Sequence, residues 1–276
     1  MFEKAVVRNL VKRFVRRDSI PYRLLEEPFF YRFPDVKKIK KLKNKFKGKR
    51  CFILGNGPSL NKIDLRKIEN EFSFAVNGIF YKTEETGYRP TFYVVEDHFV
   101  MLDNLNEINA YDAEYKFFPI NYKSFVKPSA NTAFFRMNTG FYEKQSPNFA
   151  VPRFSADPAE RLFCGQSVTM INLQLAYYFG FSEIYLIGMD FDYQIPDTAI
   201  LDGDNIESTE DDPNHFHPDY FGKGKKWHNP HLDRVLNSYK MNKVIYEADG
   251  RKIYNATAGG KLELFERKHF DDIFSV

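Results

Sequence analysis

The chain has 276 residues, 43% of them hydrophobic, with a mean hydropathy of −0.49 and a net charge of +3; this suffices to bury a sizeable core in one large domain or two small ones. It contains no apolar run near the ~18 residues of a spanning helix, and its N-terminus, MFEKAVVRNLVKRFVRR, lacks the apolar stretch and cleavage site of a secretory signal, so a cytoplasmic protein, soluble or peripheral on the inner membrane, is expected. Two cysteines, Cys51 and Cys164, support neither a disulfide framework nor a zinc site, and the net charge hides 17 Lys or Arg against 5 Asp or Glu in residues 1–50, which makes that segment +12 and the remainder −9.

Residues 2–17 place Phe2, Val6, Val7, Leu10, Val11 and Phe14 on one helical stripe with arginines and lysines around the rest. A basic amphipathic helix of this kind either lies in an anionic membrane interface or packs on its own domain. Pro21, Pro28 and Pro34 break the chain into an aromatic-rich linker, and the run KKIKKLKNKFKGKR follows. No stacking motif or recognition helix accompanies that run, so it is expected to be solvated or lipid-facing, with no nucleic-acid partner. Residues 1–47 are expected to form an appendage and 48–276 the main domain.

From Cys51 the pattern turns α/β. CFILG reads as a buried strand, DLRKIENE as a helix, and 72–76, 91–95 and 115–118 as further strands. Ser167 to Phe179 reads as an amphipathic helix stopped by Gly180, and 183–188 as a buried strand. Residues 192–226 lack periodicity and read as a long loop or lid. Pro230 to Lys240 reads as a helix, and 243–247 with 252–254 as a strand pair. The fold class is α/β: a Rossmann-like, mostly parallel sheet with helices on both faces, a GT-A-like variant.

The strand 51–55 feeds the turn Gly55-Asn56-Gly57-Pro58-Ser59-Leu60. Two glycines there let a backbone approach an anion, which suits a nucleotide phosphate. The turn has neither the Lys-Ser/Thr of a P-loop nor the third glycine of the dinucleotide fingerprint. Asn56, Asn77, Glu96 and Asp97 fall at strand carboxyl ends, where open α/β sheets bind ligands.

The ordered motifs FILGNGPSL, FAVNGIFY and GFSEIYLIGMDFDY resemble the bacterial sialyltransferases of glycosyltransferase family 42 and the related MptE-like proteins, over roughly residues 50–260. The resemblance implies a CMP-sugar site. It assigns Gly55, Asn56, Gly57 and Ser59 to the donor phosphate and nucleotide, with Asn77 nearby. Gln166, Ser167 and Thr169 of CGQSVT match the family's nucleotide-contacting loop, and Asp190 and Tyr193 match its acidic-aromatic block, with one extra residue before Tyr193. Glu96, Asp97 and Tyr220 fall to the donor sugar or the acceptor.

The resemblance also implies a histidine general base after the lid and before a helix, a place His228 occupies; His215, His217 and His231 are its rivals. No metal site is implied, and no cofactor beyond a CMP-linked donor. Two departures bear on the sugar. Glu96-Asp97-His98 stands where the sialyltransferases have Asn-Pro, putting negative charge where a sialic acid would bring its own, and Arg161 is only the nearest match to an expected arginine. The first expectation is therefore an inverting glycosyltransferase of bacterial lipopolysaccharide or capsule assembly, moving a CMP-linked sialic or other ulosonic acid to a glycan or glycolipid. The alternative is an MptE-like diphosphokinase moving pyrophosphate from ATP, with Glu96, Asp97 and Asp190 on magnesium. A third reading, a nucleotide-sensing or scaffold protein, needs no catalytic histidine.

Overall fold

The computed structural model describes residues 34–274, so the amphipathic pattern at 2–17 lies outside the described residues. Thirteen strands occur among them: β1 (Arg50–Leu54), β2 (Ser73–Val76), β3 (Phe92–Val94), β4 (Tyr115–Pro119), β5 (Thr132–Phe135), β6 (Met137–Asn138), β7 (Leu162–Phe163), β8 (Glu183–Ile187), β9 (Ile200–Asp202), β10 (Asn205–Glu207), β11 (Lys226–His228), β12 (Lys252–Asn255) and β13 (Glu266–Arg267). The α-helices are α1 (Pro34–Lys40), α2 (Phe80–Thr86), α3 (His98–Asp103), α4 (Leu105–Ala110), α5 (Thr169–Phe179) and α6 (Leu232–Ala248).

Eight strands form one sheet in the order β13-β12-β8-β1-β2-β3-β4-β5, and every neighbouring pair is parallel. This is the expected Rossmann-like α/β fold. Its strands are buried on both faces, so they read as continuous apolar runs. Along β1, Cys51 and Ile53 enter one core with α1, α5 and α6, while Phe52 and Leu54 enter a second core with α2, α3 and α4. From β1 the chain builds outward to β5 on one side; it returns to add β8, β12 and β13 on the other. The direction of winding thus reverses between β1 and β8, and a crevice opens at such a switch point, at the strands' carboxyl ends.

Several local expectations change. DLRKIENE forms only a 3₁₀ turn, Leu65–Ile68, whose N-cap Asp64 accepts the Arg66 amide. Helix α5 is buried at every position except Tyr177 rather than amphipathic, because it is sandwiched between the sheet and α6. Residues 243–247 continue α6, since Val235, Tyr239, Asn242 and Tyr246 recur on one buried helical face; a short apolar run does not distinguish strand from helix. Residues 34–47 are no free appendage: Val36, Ile39, Leu42 and Phe46 lie in the first core.

The segment 192–226 is more ordered than a lid. β9, β10 and β11 form a small antiparallel sheet, and Phe216, Tyr220, Phe221 and Trp227 are buried in the second core. Both cysteines are buried and free. No helix among the described residues is long and apolar enough to cross a membrane.

Candidate functional site

A cavity of about 840 Å³ lies at the carboxyl ends of β1, β2, β3 and β8, a volume within the range of small-ligand sites. Gly55, Asn56, Gly57, Asn77, Glu96, Asp97, Gln166, Ser167, Thr169, Asp190, Tyr193, Tyr220 and His228 all line it. Of the fourteen residues assigned to the site from the sequence, Ser59 alone is missing from the wall. It is buried, and its Oγ donates to Asp190 Oδ2 at 2.7 Å while its amide donates to the same carboxylate.

In the Gly-rich turn, three backbone donors face protein groups. The amides of Gly55 and Gly57 donate to the carbonyls of Ile187 and Gly188 at 2.8 and 3.0 Å, and Ser59 N faces Asp190. Those three donors are committed to protein, and the helix after the turn is a five-residue 3₁₀ segment, Pro58–Lys62. The glycines serve a close approach of another kind. A Cβ on Gly55 would meet the Gly188 carbonyl and Met189 Sδ, and one on Gly57 would meet the Asp190 carboxylate. They clamp the β1 turn onto the β8 turn and so shape the crevice. A Gly-x-Gly after a strand looks the same in sequence whether the group that approaches is a phosphate or a neighbouring backbone.

The neighbouring turns are tied together just as closely. Asn56 Nδ2 donates to Val76 O and to the Tyr220 hydroxyl, and the Gly78 amide reaches that same hydroxyl at 3.3 Å. Tyr220 packs closely against Gly78, where a Cβ would meet its ring at 2.7 Å. Asn77 holds a positive φ of 48°, and its Oδ1 accepts the Glu96 amide. On the far wall Gln166 Nε2 donates to Asn229 O, binding the CGQSVT loop to the chain just after His228. Asn56 Oδ1 and Gln166 Oε1 are left buried without partners, a state that native structures relieve with water or ligand.

His228 lies on β11 and is exposed to the cavity. Its Nδ1 is 3.1 Å from Asn205 Oδ1, and its ring packs on Phe99. A carboxamide oxygen on Nδ1 selects the tautomer that leaves Nε2 as proton acceptor. His215 is placed differently: its Nδ1 is 2.7 Å from the buried Asp212 Oδ2, and its ring stacks on Tyr220 at 4.1 Å. Burial pushes the Asp212 carboxyl up, but the His215 hydrogen bond and the amides of Asn214 and Phe221 outweigh it and bring it below its ordinary value. His231 contacts Asp204, and His217 stacks on Tyr81 without lining the cavity. Among the described residues no three His, Cys, Asp or Glu side chains converge in a group able to hold a metal ion.

Electrostatically the cavity is mixed. Glu96, Asp97, Asp190, Asp192 and Asp204 line it, and Arg234 is its one Lys or Arg side chain among the described residues. Burial, with the Asp97 charge beside it, pushes the Glu96 carboxyl up to about 7, and the Tyr142 hydroxyl at 3.4 Å pulls it back only in part. Arg161, the nearest match to the expected arginine, lies outside this cavity; Arg234, one turn into α6 from His231, was not singled out in the sequence. Its only signal was its place on the helix after the lid.

A family model described as 6-hydroxymethylpterin diphosphokinase MptE-like matches residues 28–196, more than half of the 276 residues. The chain belongs to the MptE-like family. No curated protein matches it. Among solved structures, the MptE-like chain is similar to the MAf glycosyltransferase from Magnetospirillum magneticum AMB-1, with a TM-score of 0.47 and 14% identity over 85% of this chain. It spans only 38% of that protein's length.

Proposed function

We propose that this MptE-like chain is a transferase of the glycosyltransferase kind, which moves a CMP-linked sialic or other ulosonic acid onto a hydroxyl of a surface glycan or glycolipid. The observation that carries this reading is the switch-point cavity, nucleotide-sized, with an accessible histidine whose Nδ1 is held and whose Nε2 is available. Arg234 in the same wall supplies the cation that an acidic sugar needs beside Glu96 and Asp97. A Glu96 carboxyl held near neutrality repels such a sugar less than an ordinary glutamate does.

In the reaction His228 Nε2 takes the acceptor hydroxyl proton as the acceptor oxygen bonds to the anomeric carbon. The bond from that carbon to the phosphate oxygen breaks, its electron pair leaves with the nucleoside monophosphate, and configuration inverts. Asn205 keeps the imidazole in the required tautomer.

The second reading, pyrophosphate transfer from ATP, is favoured by the description of the matching family and by the carboxylates in the cavity. Magnesium is commonly held by one or two carboxylates together with substrate phosphates. Of the three carboxylates expected on the ion, Asp190 accepts from Ser59, Asp97 Oδ1 caps α3 by accepting the Val100 amide, and Glu96 Oε1 accepts the Tyr142 hydroxyl at 3.4 Å.

Thermal stabilisation by CMP, CDP, UDP, GDP, ADP and ATP, each with magnesium and with EDTA, separates the two, because a ligand of the native state raises its stability by mass action. A metal-independent shift with CMP or CDP is expected. A shift with ATP alone that requires magnesium overturns the first reading in favour of the second. Nucleotide binding with no turnover of any donor, unchanged when His228 is replaced, would return the non-enzymatic reading.

A further inference from the structure

The cavity takes up the carboxyl ends of the sheet; the amino ends carry a feature that the proposed reaction does not use. Residues 35–49 lay Val36, Ile39, Leu42 and Phe46 into the core and turn Lys37, Lys40, Lys41, Lys43, Lys47 and Lys49 outward. The ridge is fixed at the start of the sheet. The amides of Asn44, Phe46 and Gly48 donate to the carbonyls of Tyr178, Phe179 and Gly180, and Lys38 Nζ donates to the Ser129 and Thr132 carbonyls beside β5.

None of those six exposed ammonium groups has an ion pair among the described residues. The one acid of the ridge, Asp35, is buried and paired with Lys123. Asp112, Glu114 and Glu183 lie near the starts of β4 and β8 but make no ion pair with the ridge. Arg50, at the ridge's end, is taken by Glu71.

We infer that this lysine ridge is a docking surface for an anionic phospholipid bilayer. Closely spaced, rigidly held ammonium groups that no acid neutralises suit a diffuse field of headgroup charge. A nucleic-acid surface would be expected to offer aromatic platforms for bases and guanidinium forks. On this ridge the aromatic residue, Phe46, is in the core and the arginine is already paired. Upstream the sequence adds only a modest excess, 8 Lys or Arg against 5 Asp or Glu in residues 1–36, so most of the charge is on the ridge itself. Docking this way points the cavity away from the bilayer. Five-residue strands β1 and β8 put the cavity a further ~17 Å out, which favours an acceptor glycan long enough to reach it.

The test uses the full chain and co-sedimentation with vesicles of phosphatidylcholine alone and with about one-third phosphatidylserine, at about 0.1 M and about 1 M salt. The parent is expected to bind only the mixed vesicles, and only at low salt. K37Q/K40Q/K41Q/K47Q should lower the partition coefficient at least about tenfold. K62Q/K144Q/K223Q/K240Q, the same charge change at exposed sites off the ridge, should leave it near the parent value, with thermal melts unchanged in both. Equal loss in the two variants, or undiminished binding by the ridge variant, overturns the inference. So does tighter binding of the parent to single-stranded polyuridylate than to mixed vesicles, which would make the ridge a nucleic-acid surface. None of these readouts depends on the reaction in the cavity.

Discussion

Replacing Gly55 by alanine puts a methyl group where β8 already lies. The new Cβ would be 2.7 Å from Met189 Sδ and 2.9 Å from the Gly188 carbonyl carbon, with the carbonyl oxygen closer still. Backbone cannot swing away as the end of a side chain can, so an ordinary contact requires the two turns to part by about 1 Å. That separation breaks or lengthens two hydrogen bonds, Gly55 N to Ile187 O and Gly57 N to Gly188 O. Overpacking of this size costs about 1–3 kcal/mol and each backbone hydrogen bond about 1 kcal/mol; the terms overlap, so a loss of about 2–4 kcal/mol is expected. Equilibrium urea unfolding would register it as a midpoint lowered by about 1 M, given a slope of about 2–3 kcal/mol/M. The same variant should lose the nucleotide-induced thermal shift, because the clamp forms the wall of the crevice. A loss below about 0.5 kcal/mol would show that the strand ends are not locked together and would refute the clamp.

His228→Ala should keep nucleotide binding while turnover falls about 10²–10⁴-fold, the usual contribution of a general base; undiminished turnover sinks that role. Glu96→Gln should change stability in a pH-dependent way. The folded carboxyl is raised from 4.5 to about 7, so the folded state holds a proton that the unfolded state has released, and stability falls as pH rises through that window. The variant should therefore gain on the order of 1–3 kcal/mol over the parent above pH 7 and nothing near pH 4, read by urea unfolding at both ends; a gain independent of pH refutes it. Asp212→Asn removes the charge that receives His215 and the amides of Asn214 and Phe221. A loss of about 2–3 kcal/mol is expected, and an unchanged urea midpoint would show that the buried pair contributes nothing.

The local strands were legible because a strand buried on both faces has to be apolar at nearly every position. FILG, SFAV and EIYLI therefore marked β1, β2 and β8 within a residue or two, and Gly180, with its φ of +95°, ended α5 where expected. Carboxyl-end positions followed from those strands for Asn56, Asn77, Glu96 and Asp97, while Gln166, Ser167, Thr169, Asp190, Tyr193 and His228 came from the resemblance; thirteen of the fourteen candidate site residues line one cavity. Harder to read were elements whose stability comes from distant partners. The acidic segment 192–226 has no periodicity, yet Ile206, Phe216, Tyr220 and Phe221 bury it against the second core. Strand β5 and the short helices α2, α3 and α4 likewise owe their place to packing rather than to pattern.

The chain's order of residues thus determined the parallel α/β sheet, the ends at which polar side chains collect and the basic character of the first fifty residues, since these depend on local periodicity and composition. Tertiary structure decided what those groups do. It turned the glycine turn into a clamp between β1 and β8, withdrew Ser59 to hold Asp190, and brought Arg234 from α6 into the cavity. It also set the lysine ridge at the opposite end of the sheet. Each outcome depends on which backbone and side-chain donors find partners many residues away, and a one-dimensional pattern does not encode those distances.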